Sequence, residues 1–446
     1  MNRTLQRACL AVALTLAVTR AGAQEPPQQE DVAKRVAQCN QRLESESGAL
    51  RLAACTILGN LGEAASPAVA RLRHVVEADP NVEIRAAAAK ALGKIGPKAR
   101  AAASALLAAL RPALKKPYRE DHEDLYRYAA FALGKLRVPE AAPLLFKIVV
   151  ASGEDDDLIL LQSKANGALV ELGAGALPVL AGALSGGEAA AKSAALFVLS
   201  DMKSAASKLS PAIEACCADS AAEVRSAAVF ALSSVAGEEA IPKLLKILVE
   251  DDEVEVYQAA AEALGRLGDP GTSAILHLLE QGAPEQRVAA AFGLGCVFLE
   301  LSLEEGTERY ATACRLAAKG VGPLRRGLTD EDEDVRANCA HAMGLVGMAL
   351  EGLLTPDPDL DEAKPKASQA KQLRAAQDSV VKALVEHLAR DFQGSSSALF
   401  RCGPAARRAL AEQAKREGKV GKLAAAGLAA LDELKRLEDL DAGEDD

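Results

Sequence analysis

The sequence predicts an all-α solenoid, and three observations carry that prediction. The first is composition. Of 446 residues about a fifth are Ala, 50% are hydrophobic, 3% are aromatic and none is Trp. Large aromatic side chains supply much of the burial in an ordinary globular core. An Ala-rich apolar chain instead suits helices packed closely at many small interfaces. The second is an internal repeat. The third is punctuation: the 34 Gly and 19 Pro are too few for a low-complexity chain and fall at recurrent places in that repeat.

The repeat is read by aligning stretches such as RLAACTILGNLG (51–62), VRSAAVFALSSVAG (224–237) and VRANCAHAMGLVG (335–347) on the Leu or Met of the "LG" position. Seven residues earlier stand the anchors Arg51, Arg85, Tyr126, Gln162, Lys192, Arg225, Tyr257, Arg287 and Arg336. Their steps of 34, 41, 36, 30, 33, 32, 30 and 49 residues mostly match a helix–turn–helix period. Each unit shows a second helix, often opened by proline, as at Pro67, Pro143, Pro178, Pro211, Pro242 and Pro323. Proline suits a first helical turn, where its missing N–H has no acceptor to serve. Glycine pairs such as Gly59 and Gly62, or Gly265 and Gly268, close the first helix and let neighbouring backbones approach. Six residues before the anchor stand Asp79, Glu120, Asp156, Asp219, Asp251 and Asp330, with Ser45 in a further unit. An acid there caps the following helix. Stacked unit on unit, the same acids face neighbouring anchors as a ladder.

The pattern D-x-x-x-x-V-R-x-A-A-x-A-L-G-x-L-G, as from Asp219 or Asp330, resembles the HEAT repeat, in the short form named after phycocyanobilin lyases. The resemblance spans about residues 32–350. It implies a right-handed superhelix of about nine clear helical hairpins. It says little of function, since repeat folds serve many tasks.

Taken in order, residues 1–23 read as a signal peptide: Arg3 and Arg7, an apolar run from Ala8 to Val18, and a cleavage motif at Ala21 and Ala23 that leaves Gln24 first. The apolar run is too short to span a bilayer. Residues 24–31 form a flexible lead-in and 32–350 the solenoid. Residues 299–320, inside the longest step, are long enough for one additional helix. Residues 351–372 read as a polar loop and DFQGSSS (391–397) as a linker. Residues 373–436 read as degenerate helices that cap the last core, and 437–446 as an acidic tail.

The net charge of −10 disfavours nucleic acid, whose binding rests on Lys and Arg against phosphate, and equally an anionic membrane surface. No later stretch is apolar enough to suggest insertion of the mature chain. Eight cysteines follow Cys9. Most read as buried thiols, with Cys296 and Cys314 the one candidate disulfide.

No catalytic, cofactor or metal site is expected. The deoxyhypusine hydroxylase branch of these repeats, by resemblance, binds di-iron through His-Glu pairs inside first helices. Here His122-Glu123 is the single such dipeptide, and it lies in a loop. His341 reads as a core or flanking histidine. Asp330, Asp332 and Asp334 have calcium-like spacing but lack the Gly and Glu of an EF-hand loop, so they read as capping acids. Cys216 and Cys217 read as packing. The acidic runs Glu154–Asp157 and Glu250–Glu253 give one edge negative charge and favour a basic partner.

Second helices in such folds line the concave side. Counting five residues back from the acid position gives His74, Lys115, Glu214, Lys246 and Arg325, with Lys243 and Arg326 beside them. These seven are the candidate partner-binding residues. The functional expectation is an exported bacterial scaffold or adaptor, most simply periplasmic, binding a protein partner. The alternative is an enzyme or cofactor handler related to bilin lyases, for which few aromatics are present to line a chromophore pocket.

Overall fold

A computed structural model describes residues 29–115, 119–151, 159–303, 307–355 and 364–441. The signal peptide with Ala21, Ala23 and Gln24, the run Glu154–Asp157 and the tail after Asp441 lie outside these residues. No strand occurs among the described residues. Contacts divide the chain into two compact units, residues 1–183 and 184–446.

The first unit contains α1 (Gln29–Arg42), α2 (Gly48–Leu61), α3 (Val69–Ala78), α4 (Val82–Ile95), α5 (Ala103–Leu110), α6 (Glu123–Lys135), α7 (Ala142–Ala151) and α8 (Ile159–Leu172). The division falls within α9 (Leu177–Gly186). The second unit contains α10 (Ala189–Met202), α11 (Ser210–Cys216), α12 (Ala222–Ala236), α13 (Ile241–Glu250), α14 (Val254–Arg266) and α15 (Asp269–Gln281). It continues with α16 (Pro284–Leu303), α17 (Glu308–Gly327), α18 (Glu333–Leu354), α19 (Ala367–His387), α20 (Phe392–Arg401), α21 (Gly403–Ala414) and α22 (Lys419–Asp441).

Even-numbered helices from α2 are the first helices of hairpins, and odd-numbered ones from α3 to α21 are the second. First helices stack on first helices: α2 to α8 in one unit, α10 to α20 in the other. The aligned column is the core of that stack. Leu58, Leu92, Leu133, Leu199, Leu264 and Met343 are all fully buried. Each such side chain contributes about 1.5–3 kcal/mol relative to exposure. In several repeats the two glycine positions divide the labour. A Cβ at Gly134 would sit 2.7 Å from the Ala168 Cα, and one at Gly344 would sit 2.8 Å from the Ala398 Cα. The first glycine therefore sets the spacing between neighbouring helices. The second takes the turn: Gly62 has φ +58° and Gly268 has φ +69°. A short 3₁₀ stretch such as Gly62–Ala68 or Lys203–Leu209 then leads into the second helix.

Several sequence expectations need correcting. Residues 299–320 add no helix of their own. They lengthen both arms of one hairpin, so that α16 and α17 have 20 residues each. Pro323 does not open a helix but lies inside α17. Residues 373–387, grouped above with the cap, belong to α19, which packs on α18 as the second helix of the ninth hairpin. The DFQGSSS stretch is helical from Phe392. Asp391 caps it by accepting the Gly394 N–H at 2.9 Å, and Ser395 and Ser396 are buried where small residues permit close packing. Helix α16 has the length and apolarity to cross a membrane, yet Leu294, Val297, Phe298 and Leu301 are buried within the protein. The eight described cysteines are all free thiols, so Cys296 and Cys314 are not bonded to each other. Cys314 points its sulfur at the Gln369 carbonyl of α19, 3.7 Å away.

Candidate functional site

The acids ahead of the first helices form a ladder of ion pairs. Arg51 donates Nε to Asp79 at 2.6 Å, and Lys192 reaches Asp219 at 2.6 Å. Arg225 holds Asp251 with two parallel bonds of 2.8 and 2.9 Å, the strong forked geometry of guanidinium and carboxylate. Arg287 donates to Asp330 at 2.7 Å. In each case the anchor of one repeat grips the acid that precedes the next. The anchors also tie down the loop before their own helix. Arg225 Nη1 donates to the Asp219 carbonyl at 3.1 Å, and Arg336 Nη1 donates to the Asp330 carbonyl at 2.8 Å.

The same acids brace the following loop rather than serving as the helix cap itself. Asp79 accepts the Asn81 N–H, Asp219 that of Ala221, Asp251 that of Glu253 and Asp330 that of Asp332. Asn81 and Asp332 are the true caps, accepting from Glu83 and Val335. Burial acts to raise the Asp79 and Asp330 carboxyls, but their Arg and backbone partners hold both below the usual range. Lys192 lowers Asp219, and Arg225 lowers Asp251. Of the acidic run Glu250–Glu253 expected to charge one edge, Asp251 is neutralised by Arg225. Lys246 also pairs with Glu250 at 3.6 Å.

The seven candidate residues do not form one constellation. His74 is exposed on α3, in the first unit. Lys115 lies beyond α5, after a 3₁₀ turn that contains Pro112, so it is off the second helix on which counting placed it. In the second unit Glu214 is exposed on α11, Lys243 is half-buried and Lys246 exposed on α13, and Arg325 and Arg326 are exposed on α17. Arg326 pairs with Glu280. Arg325 and Arg326 do converge with His387, the last residue of α19, and Arg390 of the turn after it on a cavity of about 410 Å³. There His387 is buried, its Nδ1 is 3.0 Å from the Ser395 hydroxyl, and burial lowers its pKa.

A second cavity, of about 460 Å³, was not anticipated. It opens where α14, α16 and α18 begin, with Tyr257 and Phe292 among its apolar lining. Their rings meet edge to face, 5.2 Å apart at 84°. His341 stacks on Phe292 at 6.3 Å and accepts from Arg401 at 3.0 Å. Burial, then the Arg401 charge, lowers the His341 pKa. The signal for this cavity is present in the anchor column, where Tyr257 stands in place of a cation.

The described residues hold no group of three or more His, Cys, Asp or Glu placed for a metal. His122 ends a 3₁₀ turn (Glu120–His122), beside Asp121, and Glu123 opens α6, so the pair does not lie in a loop as expected. Cys216 and Cys217 are buried, and burial pushes the Cys217 thiol up to about 12.

Comparison with known families matches HEAT repeats at residues 38–119 and 209–295, and the PBS lyase HEAT-like repeat at residues 125–145. The chain thus contains HEAT repeats in these segments. No curated protein matches it. Among solved structures it is similar to Kap121p bound to Nup53p, at 13% identity and TM-score 0.41, over 89% of this chain and 48% of that one. It is also similar to yeast importin-beta (Kap95p), at 13% identity and TM-score 0.35, over 92% and 64%. The HEAT-repeat chain therefore spans about half to two thirds of the length of these two proteins.

Proposed function

We propose that this HEAT-repeat protein is an exported, non-enzymatic scaffold that binds a protein partner. One observation carries the reading: hairpins stacked on a rigid first-helix core, clamped by the ion-pair ladder, with charged side chains projecting from the second helices. A stiff stack holds many side chains at fixed spacing, so binding them costs little ordering entropy. Glu214, Lys246 and Arg325 are exposed on second helices of the second unit and supply such contacts. Export is supported by Arg3 and Arg7, the apolar run after them, and the small residues Ala21 and Ala23. The compartment we propose is the bacterial periplasm.

The test is affinity capture from envelope extract with the chain from Gln24 onward, as wild type and with Lys246→Glu and Arg325→Glu together. The expected result is a stoichiometric protein recovered by the wild type and depleted with the double variant, at unchanged thermal midpoint. Recovery of a chromophore or metal with no protein would overturn the scaffold reading. Sequencing the N-terminus of the exported chain tests the other half, with Gln24 expected first.

A further inference from the structure

We propose that the cavity beside Tyr257 takes an arginine side chain from a basic segment of the partner. The inference rests on the scaffold reading and adds the chemistry of one contact. The ladder has a gap there. Arg225 serves Asp251, and Arg287 serves Asp330, but the anchor of α14 is Tyr257, and the acid position that it would face is Gln281. A rung is missing between α14 and α16. In its place the protein has an open cavity of about 460 Å³, within the size range of ligand sites.

The lining of this cavity suits a guanidinium. Tyr257 and Phe292 give it aromatic surface, and Asp251, Glu285, Asp332 and Asp334 give it four carboxylates. No Lys or Arg lines it. Arg225 already engages Asp251, and Asp332 caps Val335. Glu285 and Asp334 are exposed in the first turns of α16 and α18. The three helix N-termini bring roughly 1.5 positive charges between them. With Asp251 neutralised by Arg225, the rim still keeps a net charge of about −1.5. Arg401 is bonded to His341 and does not line the cavity.

Arginine fits better than lysine. Its flat guanidinium stacks on an aromatic ring while its edge donates two parallel bonds to a carboxylate. An ammonium is a hydrated point charge that cannot do both. The partner's arginine would supply the rung that the chain omits.

Fluorescence polarisation on the purified full chain tests this. The probes are labelled nine-residue Gly/Ser peptides that carry two arginines, two lysines or two citrullines. The arginine peptide is expected to bind most tightly and the citrulline peptide not at all. Replacing Glu285→Gln with Asp334→Asn is expected to weaken the arginine peptide about threefold to tenfold. Phe292→Leu, which preserves apolar volume, is expected to abolish the preference for arginine over lysine. Replacing Asp252→Asn with Glu253→Gln, exposed acids nearby that do not line the cavity, is expected to change little. Helical content and thermal midpoint report folding of each variant, and the charge variants leave the core untouched. The inference is overturned if arginine and lysine peptides bind alike, if the nearby acids matter as much, or if the arginine peptide does not bind. If these fail while capture still yields a protein lost on Lys246 and Arg325 reversal, the scaffold reading survives without this contact. If capture yields no protein, the reading beneath it fails.

Discussion

Single side chains in this protein serve two neighbours at once. Asp251 accepts from Arg225 of the preceding repeat and from the Glu253 N–H of its own loop. Its pKa, like those of Asp79, Asp219 and Asp330, lies below the ordinary value. A lowered carboxylate pKa contributes stability above the unfolded value of about 3.9, lost as pH falls through the folded values. Urea midpoints should therefore fall as pH drops below about 4. The joint Asp→Asn variant of these four acids should be less stable at pH 7 and should lose less on acidification. An equal acid loss in that variant would refute the ladder as its cause. The thiols give a second prediction. Burial pushes Cys55, Cys217, Cys296, Cys339 and Cys402 up to about 12, far from the thiolate that reacts. At pH 8 these five should resist alkylation in the native chain and react at once in denaturant. Cys296 and Cys314 should both titrate as thiols without a reductant.

At the scale of the helix, small residues set the spacing, and Arg137 and Lys203 stand at positive φ where other repeats have glycine. Gly344→Ala forces a Cβ to 2.8 Å from the Ala398 Cα. Urea unfolding should show a loss of about 1–3 kcal/mol, the usual cost of overpacking. Gly167 is the opposite case: exposed in mid-helix, with nothing within 4 Å of an added Cβ. Gly167→Ala should gain about 0.5–1 kcal/mol through backbone entropy and helix propensity. Lys203 stands where most repeats have glycine, at φ 52° and ψ −138°, a region that side chains avoid. Lys203→Gly should stabilise by about 1 kcal/mol on relief of that strain. The register of all three residues was legible in the sequence, because Leu, Gly and anchor recur together. The helix ends were less so. Pro323 and the serines of 391–397 carry the local signs of a boundary, yet both lie inside helices. Packing decided against propensity: Leu324 is buried beside Pro323, and Ser395 packs against His387.

At the scale of the molecule, the fold was readable and the site only in part. Nine anchors sufficed to find the repeat and to expect acids facing cations. Counting residues back from those acids identified exposed side chains on second helices but set Lys115 beyond its helix. It did not reveal that Arg325 converges with His387 and Arg390, since that needs α17 to lie beside α19. Nor did it reveal the Tyr257 cavity, which a departure from the repeat creates. Regular positions build the stack, and the departure at Tyr257 borders an open cavity. The net charge of −10 has a parallel consequence. With four acids satisfied internally, attraction to a basic partner depends on the carboxylates that remain, and it should weaken sharply as salt shortens the screening length to about 3 Å at 1 M. The most direct test of the scaffold account is native mass spectrometry of the chain recovered gently from its own extract. The account predicts a complex heavier than the chain from Gln24 onward by a second, different polypeptide in fixed ratio. A chain found alone, or solely in multiples of itself, would contradict it.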